Sequence, residues 1–153
     1  MINVRGIDKR FGERCLFGSR DIDFTPGRTT VITGRSGVGK STLLRILNQL
    51  ERHDAGVLHI DGLDIPAGLP QREWKRRATL LRRRTGMVFQ GYQLFPHLDV
   101  LTNVTLAPVQ VKGMAVDAAR RRALELLQSV GMADAADRFP ARLSGGESQR
   151  VAI

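Results

Sequence analysis

The chain has 153 residues, of which 42% are hydrophobic and 25% charged. This length suits one domain with a core, and the composition excludes wholesale disorder, collagen and coiled coil. The net charge of +9 favours an anionic partner such as a nucleotide, a nucleic acid or a membrane surface. The single cysteine, Cys15, fits a reducing compartment. We find neither a secretory signal nor an apolar run of membrane-spanning length.

The first third of the sequence predicts short strands. Met1 to Val4 and Asp21 to Phe24 have extended character, and the β-branched run Thr29 to Thr33 is typical of a strand buried on both faces of a parallel sheet. Val57 to Ile60 predicts a further strand that ends in a turn at Asp61-Gly62. Glycines and one Pro-Gly pair are expected to break the early strands: Gly6, Gly12, Gly18 and Pro26-Gly27.

Two helices and one more strand are predicted next. Lys40 to Leu50 has apolar residues at helical spacing and should bury one face, formed by Leu43, Ile46, Leu47 and Leu50. Gln71 to Arg84 predicts a solvated basic helix with a thin apolar side at Trp74, Ala78 and Leu81. Gly86 to Phe89 predicts a buried strand that ends at Gln90.

The second half of the sequence is predicted to be helical. Leu101 to Leu106 indicates a short helix, and Val116 to Val130 indicates the clearest one, with Asp117 as N-cap and Gly131 at the C′ position. A last helix is expected from Glu147 to Ile153. The apolar stripe of the clearest helix is Ala119, Ala123, Leu126, Leu127 and Val130.

A glycine-rich loop lies between a predicted strand and a predicted helix. It matches the pattern G-x-x-x-x-G-K-[ST] with Gly34, Arg35, Ser36, Gly37, Val38, Gly39, Lys40 and Ser41. Glycines let successive N–H groups face one concavity and hold β- and γ-phosphates, while the helix N-terminus adds its positive dipole end. Lys40 would supply charge to the same oxygens, Ser41 a ligand for Mg²⁺, and Thr42 a donor to the α-phosphate. Such a loop indicates nucleotide binding without defining a particular activity.

Three further motifs accompany the loop. Leu143-Ser144-Gly145-Gly146-Glu147 resembles the LSGGQ signature of the ABC transporter ATPases. Gly86 to Gln90 resembles the strand and glutamine of that family's Q-loop, and Phe11 stands where the family has its A-loop aromatic. The motifs follow the family order. The stretches Leu94 to Leu98 and Asn103 to Pro108 are similar to the subgroup that energises uptake of polar amino acids.

The resemblance implies an α/β fold: a P-loop NTPase core with an antiparallel β subdomain on the N-terminal side and a helical subdomain. Residues 1–90 would form the nucleotide-binding α/β part, and residues 91–150 the helical subdomain that ends in the signature. Phe11 would stack on adenine, and Gln90 would reach Mg²⁺ through water. The signature would bind the γ-phosphate held by the other subunit of a dimer, through Ser144, Gly145, Gly146 and Glu147.

Two features depart from the family pattern. Glu147 replaces the usual Gln, where it would either repel the γ-phosphate or serve as a favourable first-turn acid, and we favour the second. No Asp-Glu pair occurs anywhere, and His53, His59 and His97 all precede the signature, so neither the Walker B carboxylates nor the switch histidine is matched. We therefore expect an incomplete domain that lacks the Walker B strand and all later elements of the family fold. No catalytic set is complete beyond the Q-loop Gln90.

The resemblance implies an ATPase subunit of an importer, using ATP and Mg²⁺. Its partners would be a second ATPase subunit arranged head to tail, permease subunits and, indirectly, a solute-binding protein, at the cytoplasmic face of the plasma membrane. Two alternatives remain: a nucleotide-binding remnant without turnover, and a soluble family member that acts on ribosomes or DNA. The basic run Arg72 to Arg84 fits a solvated helix face, or contact with a membrane surface or membrane partner, better than nucleic acid.

Overall fold

The computed structural model describes residues 2–153, and the chain divides into two compact units, one ending at Gly86 and the other beginning at Met87. Among these residues no helix combines the length and the apolar character that crossing a bilayer requires.

The first unit contains a four-stranded antiparallel sheet in the order β2-β1-β3-β4. This observation confirms the antiparallel β subdomain expected near the N-terminus. The turn predicted at Asp61-Gly62 joins the last two strands, and both turn residues have positive φ, as a two-residue hairpin requires. The strands are β1 (Ile2–Phe11), β2 (Arg14–Phe24), β3 (Ala55–Ile60) and β4 (Leu63–Pro66).

Gly12 and Pro26-Gly27 lie in the turns that follow β1 and β2, as predicted, whereas Gly6 and Gly18 lie inside these strands and do not break them. Of the predicted strand Met1 to Val4, Met1 lies outside the described residues. Gly6 instead takes φ 57° inside β1, and the register with β2 shifts between Val4 and Ile7. A bulge of this kind keeps a strand continuous. Gly56 at β3 is required by close approach, because a Cβ there would lie 2.4 Å from the carbonyl oxygens of Arg5 and Gly6.

Two helices pack against one face of this sheet: α1 (Lys40–Leu47) and α2 (Gln71–Arg82). The first ends before the predicted Leu50, since Gln49 has φ 54° and turns the chain, and Leu50 is 43% exposed. The apolar side predicted for α2 is confirmed: Ala78 and Leu81 are fully buried and Trp74 packs on the core. The buried core of the unit consists of Val4, Ile7, Ile46, Leu58, Ile60, Ile65 and Leu81.

The strand predicted for Thr29 to Thr33 is not formed in the structure, so this prediction is wrong. The segment has no regular structure, and Val31, expected to be buried on both faces, is 77% exposed. A strand needs a partner backbone, and no segment of residues 2–153 pairs with this one. Cavities of about 220 and 430 Å³ both border Ile32. The segment therefore lacks support from strand neighbours.

The second unit is helical and consists of α3 (Val100–Gln110), α4 (Val116–Ser129) and α5 (Gly145–Ala152), with short 3-10 turns at Ala133–Ala135 and Pro140–Arg142. The helix α3 is longer than predicted; its N-cap is Asp99, whose carboxylate accepts from Thr102 N at 2.7 Å. The buried core of the second unit consists of Val100, Leu101, Ala123, Leu127, Met132, Ala135, Ala136 and Val151.

Three predictions for the second half need correction. Ala115, not Asp117, is the N-cap of α4; Asp117 lies within the first turn, where a carboxylate still complements the helix dipole. Leu126 is 44% exposed and lies outside the core stripe.

The predicted buried strand Gly86 to Phe89 has no strand structure, and Val88 is 50% exposed, because no strand among residues 2–153 pairs with it. Gly131 takes φ 67° after α4, which confirms its C′ position.

Candidate functional site

The glycine-rich loop adopts backbone conformations that its glycines make possible. Gly34, Gly37 and Gly39 all have positive φ, of 151°, 77° and 105°. Gly39 is also the N-cap of α1, and a Cβ at this position would lie 2.9 Å from the Leu16 side chain of β2. Both the backbone angle and the close approach to β2 therefore select glycine at the start of the helix.

The first turn of α1 presents unused hydrogen-bond donors. Gly39 offers no side-chain cap, and its carbonyl accepts from Leu43 N at 2.8 Å. The backbone N–H groups of Lys40, Ser41 and Thr42 find no acceptor within residues 2–153. A helix N-terminus of this kind concentrates donors and positive potential, which suits a bound anion.

Lys40 lies over this loop. Its Nζ donates to the carbonyl oxygens of Gly34 at 2.8 Å and Arg35 at 2.9 Å, and no carboxylate in the described part of the chain pairs with it. The ammonium thus lies beside the unpaired helix donors with its charge uncompensated. An anion that entered the loop would exchange two neutral acceptors for charged ones, which strengthens both hydrogen bonds.

Phe11 ends β1 with 51% of its surface exposed. The Lys9 Nζ lies 4.7 Å from the centre of its ring, and the same ammonium donates to Arg52 O at 2.8 Å and pairs with Glu51 at 2.7 Å. The ring is therefore held by a buried cation while much of it stays accessible. Sequence reasoning missed Lys9, since its partners lie more than 40 residues away.

Gln90 is exposed and lies in a turn rather than at a strand end. Tyr92 and Gln93 follow with φ 58° and 50°, a left-handed pair that is unusual for residues other than glycine. Asn103 of α3 stabilises the loop after them: its Oδ1 accepts from Phe95 N at 2.7 Å, and its Nδ2 donates to Leu98 O at 3.0 Å. Only the resemblance pointed to Asn103, and no periodicity would have identified this role.

The signature residues form the N-terminus of α5. Ser144 is the N-cap, and its Oγ accepts from Glu147 N at 3.3 Å. In return Ser144 N donates to Glu147 Oε2 at 2.7 Å, which completes a capping box. Because Oγ acts as an acceptor here, its own proton stays available to donate. The N–H groups of Gly145 and Gly146 have no acceptor within residues 2–153.

The Glu147 carboxylate is directed back along the helix, as we favoured. The hydrogen bond from the Ser144 backbone is the main cause that lowers the pKa of Glu147, and the Ser144 side chain and Arg138 act in the same direction. Arg138 Nη1 lies 3.7 Å from Glu147 Oε1. The carboxylate is thus ionised and turned towards its own N-cap. Arg138 was not foreseen, because a nine-residue separation through a 3-10 turn has no periodic signal.

The predicted site residues are distributed over both units. The glycine-rich loop, Lys40, Ser41, Thr42 and Phe11 lie in the first unit, and Gln90 and the signature lie in the second. A glycine loop with unpaired donors and a lysine at a helix N-terminus defines the class: a P-loop protein. A family model described as ABC transporter matches residues 18–153, and the chain belongs to this family.

Several proteins similar to this chain are named as ATP-binding proteins of amino-acid transport. The glutamate transport ATP-binding protein GluA of Corynebacterium glutamicum is 45% identical over the whole chain. The glutamine transport ATP-binding protein GlnQ of Escherichia coli and the L-cystine import ATP-binding protein TcyC of Bacillus subtilis are each 42% identical. The chain spans 61% of the length of each of these relatives.

Solved structures with the same fold are ATP-binding cassettes. The dimeric post-hydrolysis state of the cassette MJ0796, bound to ADP and Pi, superposes with a TM-score of 0.83 and 32% identity, covering 99% of this chain and 67% of that one. A second dimeric MJ0796 structure gives a TM-score of 0.84 and 34% identity. These likenesses confirm the α/β cassette fold expected from the motifs.

Proposed function

We propose that the chain supplies the ATP-binding part of an importer subunit that couples ATP binding and hydrolysis to uptake of a polar amino acid or a similar solute. The observation that carries the proposal is the Lys40 ammonium, which lies over a glycine loop beside the unpaired amides of α1. The names of the relatives support the transport role, since they refer to transport of glutamate and glutamine and to import of L-cystine.

The predicted binding residues contact different parts of ATP in this proposal. The β- and γ-phosphates would occupy the concavity of the loop and accept from its amides, while Lys40 would move its hydrogen bonds from two carbonyl oxygens to phosphate oxygens. Thr42 would donate to the α-phosphate, and the exposed ring of Phe11 would stack on adenine. The loop residues are Gly34, Arg35, Ser36, Gly37, Val38, Gly39, Lys40 and Ser41.

Two residues are suited to Mg²⁺. Ser41 is exposed, and its hydroxyl has no hydrogen-bond partner within residues 2–153, so a hard oxygen is free to act as a ligand. The exposed Gln90 would contribute through its amide oxygen. When bound, the ion would neutralise charge on the β- and γ-phosphate oxygens. The exposed hydroxyl of Ser41 is therefore chemically suited to such an ion.

The signature supports a shared site in a dimer. Ser144 has a free hydroxyl proton, and Gly145 and Gly146 have free amides, so α5 can donate to a γ-phosphate bound by a second, head-to-tail subunit. The cassettes of similar fold are dimeric. We further propose permease subunits and an indirect solute-binding protein as partners, at the cytoplasmic face of the membrane.

A second candidate function is nucleotide binding without turnover by this chain on its own. The observation that favours it is that the sequence contains no Asp-Glu pair, which the family pattern requires for Mg²⁺ and the attacking water. The third possibility, an ABC ATPase that acts on ribosomes or DNA, gains no support from the relatives, whose names are those of transport proteins.

Calorimetric titration with Mg-ATP tests the proposal. Saturable binding by the wild-type chain is expected. Lys40→Ala should weaken it by at least tenfold, because charge-assisted hydrogen bonds contribute about 1.5–3 kcal/mol. The matched control is Lys112→Ala, an exposed lysine in the loop before α4, and it should bind as the wild type does.

Binding that is absent, or that Lys40→Ala and Lys112→Ala affect equally, would contradict the nucleotide site. An assay of phosphate release then separates the two candidates. Turnover that Lys40→Ala abolishes supports an ATPase, whereas binding without phosphate release supports the second candidate.

A further inference from the structure

The outer face of α2 contains basic side chains that the fold does not use. Three of the basic residues near this helix have structural partners: Arg77 pairs with Glu73 at 2.6 Å, Arg82 donates to Gln49 O at 2.8 Å, and Arg84 donates to Asp61 O at 3.2 Å. The remaining four are exposed and have no hydrogen bond or ion pair to the side chain within residues 2–153. They are Arg72, Lys75, Arg76 and Arg83, here called the basic face.

Three residues of the basic face lie in a row along one side of α2. Arg72 and Arg76 are four residues apart, and Arg83 follows seven residues later, so the three lie along one side of α2 and its C-cap. They extend over roughly 16 Å at the usual rise of an α-helix. The opposite side of α2, with Ala78 and Leu81, is buried in the core. The helix therefore turns a row of unpaired positive charge outward on a rigid support.

From this arrangement we propose that the basic face binds the surface of a membrane containing anionic phospholipid. The attraction of basic side chains to anionic headgroups needs no shaped pocket, and an outward row of charge on a convex helix satisfies it. Leu80, next to the row, is 38% exposed and can enter the headgroup region. This contact is independent of nucleotide binding and of the permease.

Nucleic acid fits the same face less well. Stacking on unpaired bases requires exposed aromatic rings among the basic residues. The only aromatic residue of α2 is Trp74, which lies on the buried side and donates through Nε1 to Gln49 Oε1 at 2.6 Å. Because the ring packs against the core, it cannot stack on a base.

Flotation of the full chain with lipid vesicles, without nucleotide, tests this proposal. Binding is expected to vesicles that mix phosphatidylcholine with phosphatidylglycerol and not to phosphatidylcholine alone, and it should weaken as salt is raised. Each basic residue near an anionic surface contributes roughly fivefold to partitioning, so R72Q/R76Q should lower it by roughly 25-fold. The control R120Q/R121Q removes the same charge from exposed positions of α4 and should lower it far less.

Further variants distinguish an effect of charge from one of guanidinium geometry, and lipid binding from nucleotide binding. R72K/R76K should retain vesicle binding, since a surface potential responds to charge rather than to guanidinium geometry. Lys40→Ala should also retain it, which distinguishes a failure here from a failure of the nucleotide site. Circular dichroism should show every variant folded, since the substituted basic-face side chains have no partners.

Three outcomes would overturn the proposal. One is the absence of binding to phosphatidylglycerol vesicles. Another is an equal loss in R72Q/R76Q and R120Q/R121Q. The third is binding of duplex DNA or an acidic protein that R72Q/R76Q removes while vesicle binding is unchanged.

Discussion

His53 shows how burial changes the chemistry of one residue. It follows α1, is 5% exposed, and burial is the main cause that lowers its pKa from the usual 6.5; the backbones of Gly56 and Ile65 and the charge of Asp54 oppose this effect without cancelling it. Below pH 6.5 the unfolded chain therefore binds more protons than the folded one. The fold therefore favours the neutral imidazole of His53, and protonation of this residue favours unfolding.

We expect the free energy of unfolding to fall as the pH is lowered through the window just below 6.5, and to level off below the folded-state pKa of His53. His53→Gln should flatten this part of the profile. Urea denaturation at a series of pH values measures it, with the exposed His97→Gln as control. A profile that His53→Gln leaves unchanged would refute this assignment.

The motif residues could be predicted from the sequence, whereas the residues that contact and position them could not. Gly39 and Lys40 are defined by short spacing; the structure has Gly39 as the N-cap of α1 and Lys40 Nζ donating to Gly34 O. Lys9, which lies beside Phe11 in β1, is held by the distant residues Glu51 and Arg52. Arg138 reaches Glu147 across a 3-10 turn. No local pattern encodes such pairs, because the turns between the partners fix their approach.

At the scale of elements, helices were easier to predict than strands. The hydrogen bonds of α2 and α4 close within four residues, so periodicity alone located both helices. A strand needs a partner, and Thr29–Thr33 has none within residues 2–153 although its β-branched residues favour extended structure. The local sequence indicates a preference for extended backbone, but a strand forms only where another strand pairs with it.

The N-terminus of α5 gives a test at this scale. Ser144→Ala removes the acceptor of Glu147 N and should lower the free energy of unfolding by about 1 kcal/mol, the usual cost of losing an N-cap. Ser144→Asp keeps a cap acceptor and should restore most of this loss. Chemical denaturation followed by circular dichroism provides the measurement.

The matched control for the cap is Ser129→Ala, at the end of α4. The Ser129 hydroxyl only donates to Leu126 O at 2.7 Å within its own helix and lies on the exposed surface. Its removal should change stability by less than about 0.5 kcal/mol. Equal effects of Ser144→Ala and Ser129→Ala would show that the capping box does not stabilise α5.

For the whole molecule, the order of motifs was more informative than composition. Phe11, the loop at Gly34, Gln90 and Ser144 follow one another as in the family to which the chain belongs, and this order predicted the cassette fold. The net charge of +9 suggested only an anionic partner. Part of that charge lies at the glycine-rich loop, part is used in internal contacts, and part lies on the basic face.

The central claim is that the unpaired amides of α1 hold the phosphates of ATP, and residue-by-residue amide hydrogen exchange by NMR tests it most directly. The amides of Lys40, Ser41 and Thr42 should exchange rapidly in the free chain and become protected when Mg-ATP is added. The first-turn amides of α4, Val116 to Ala118, are also unpaired within residues 2–153 and should stay unprotected. Protection that is absent at Lys40 to Thr42, or equal at both helices, would contradict the account.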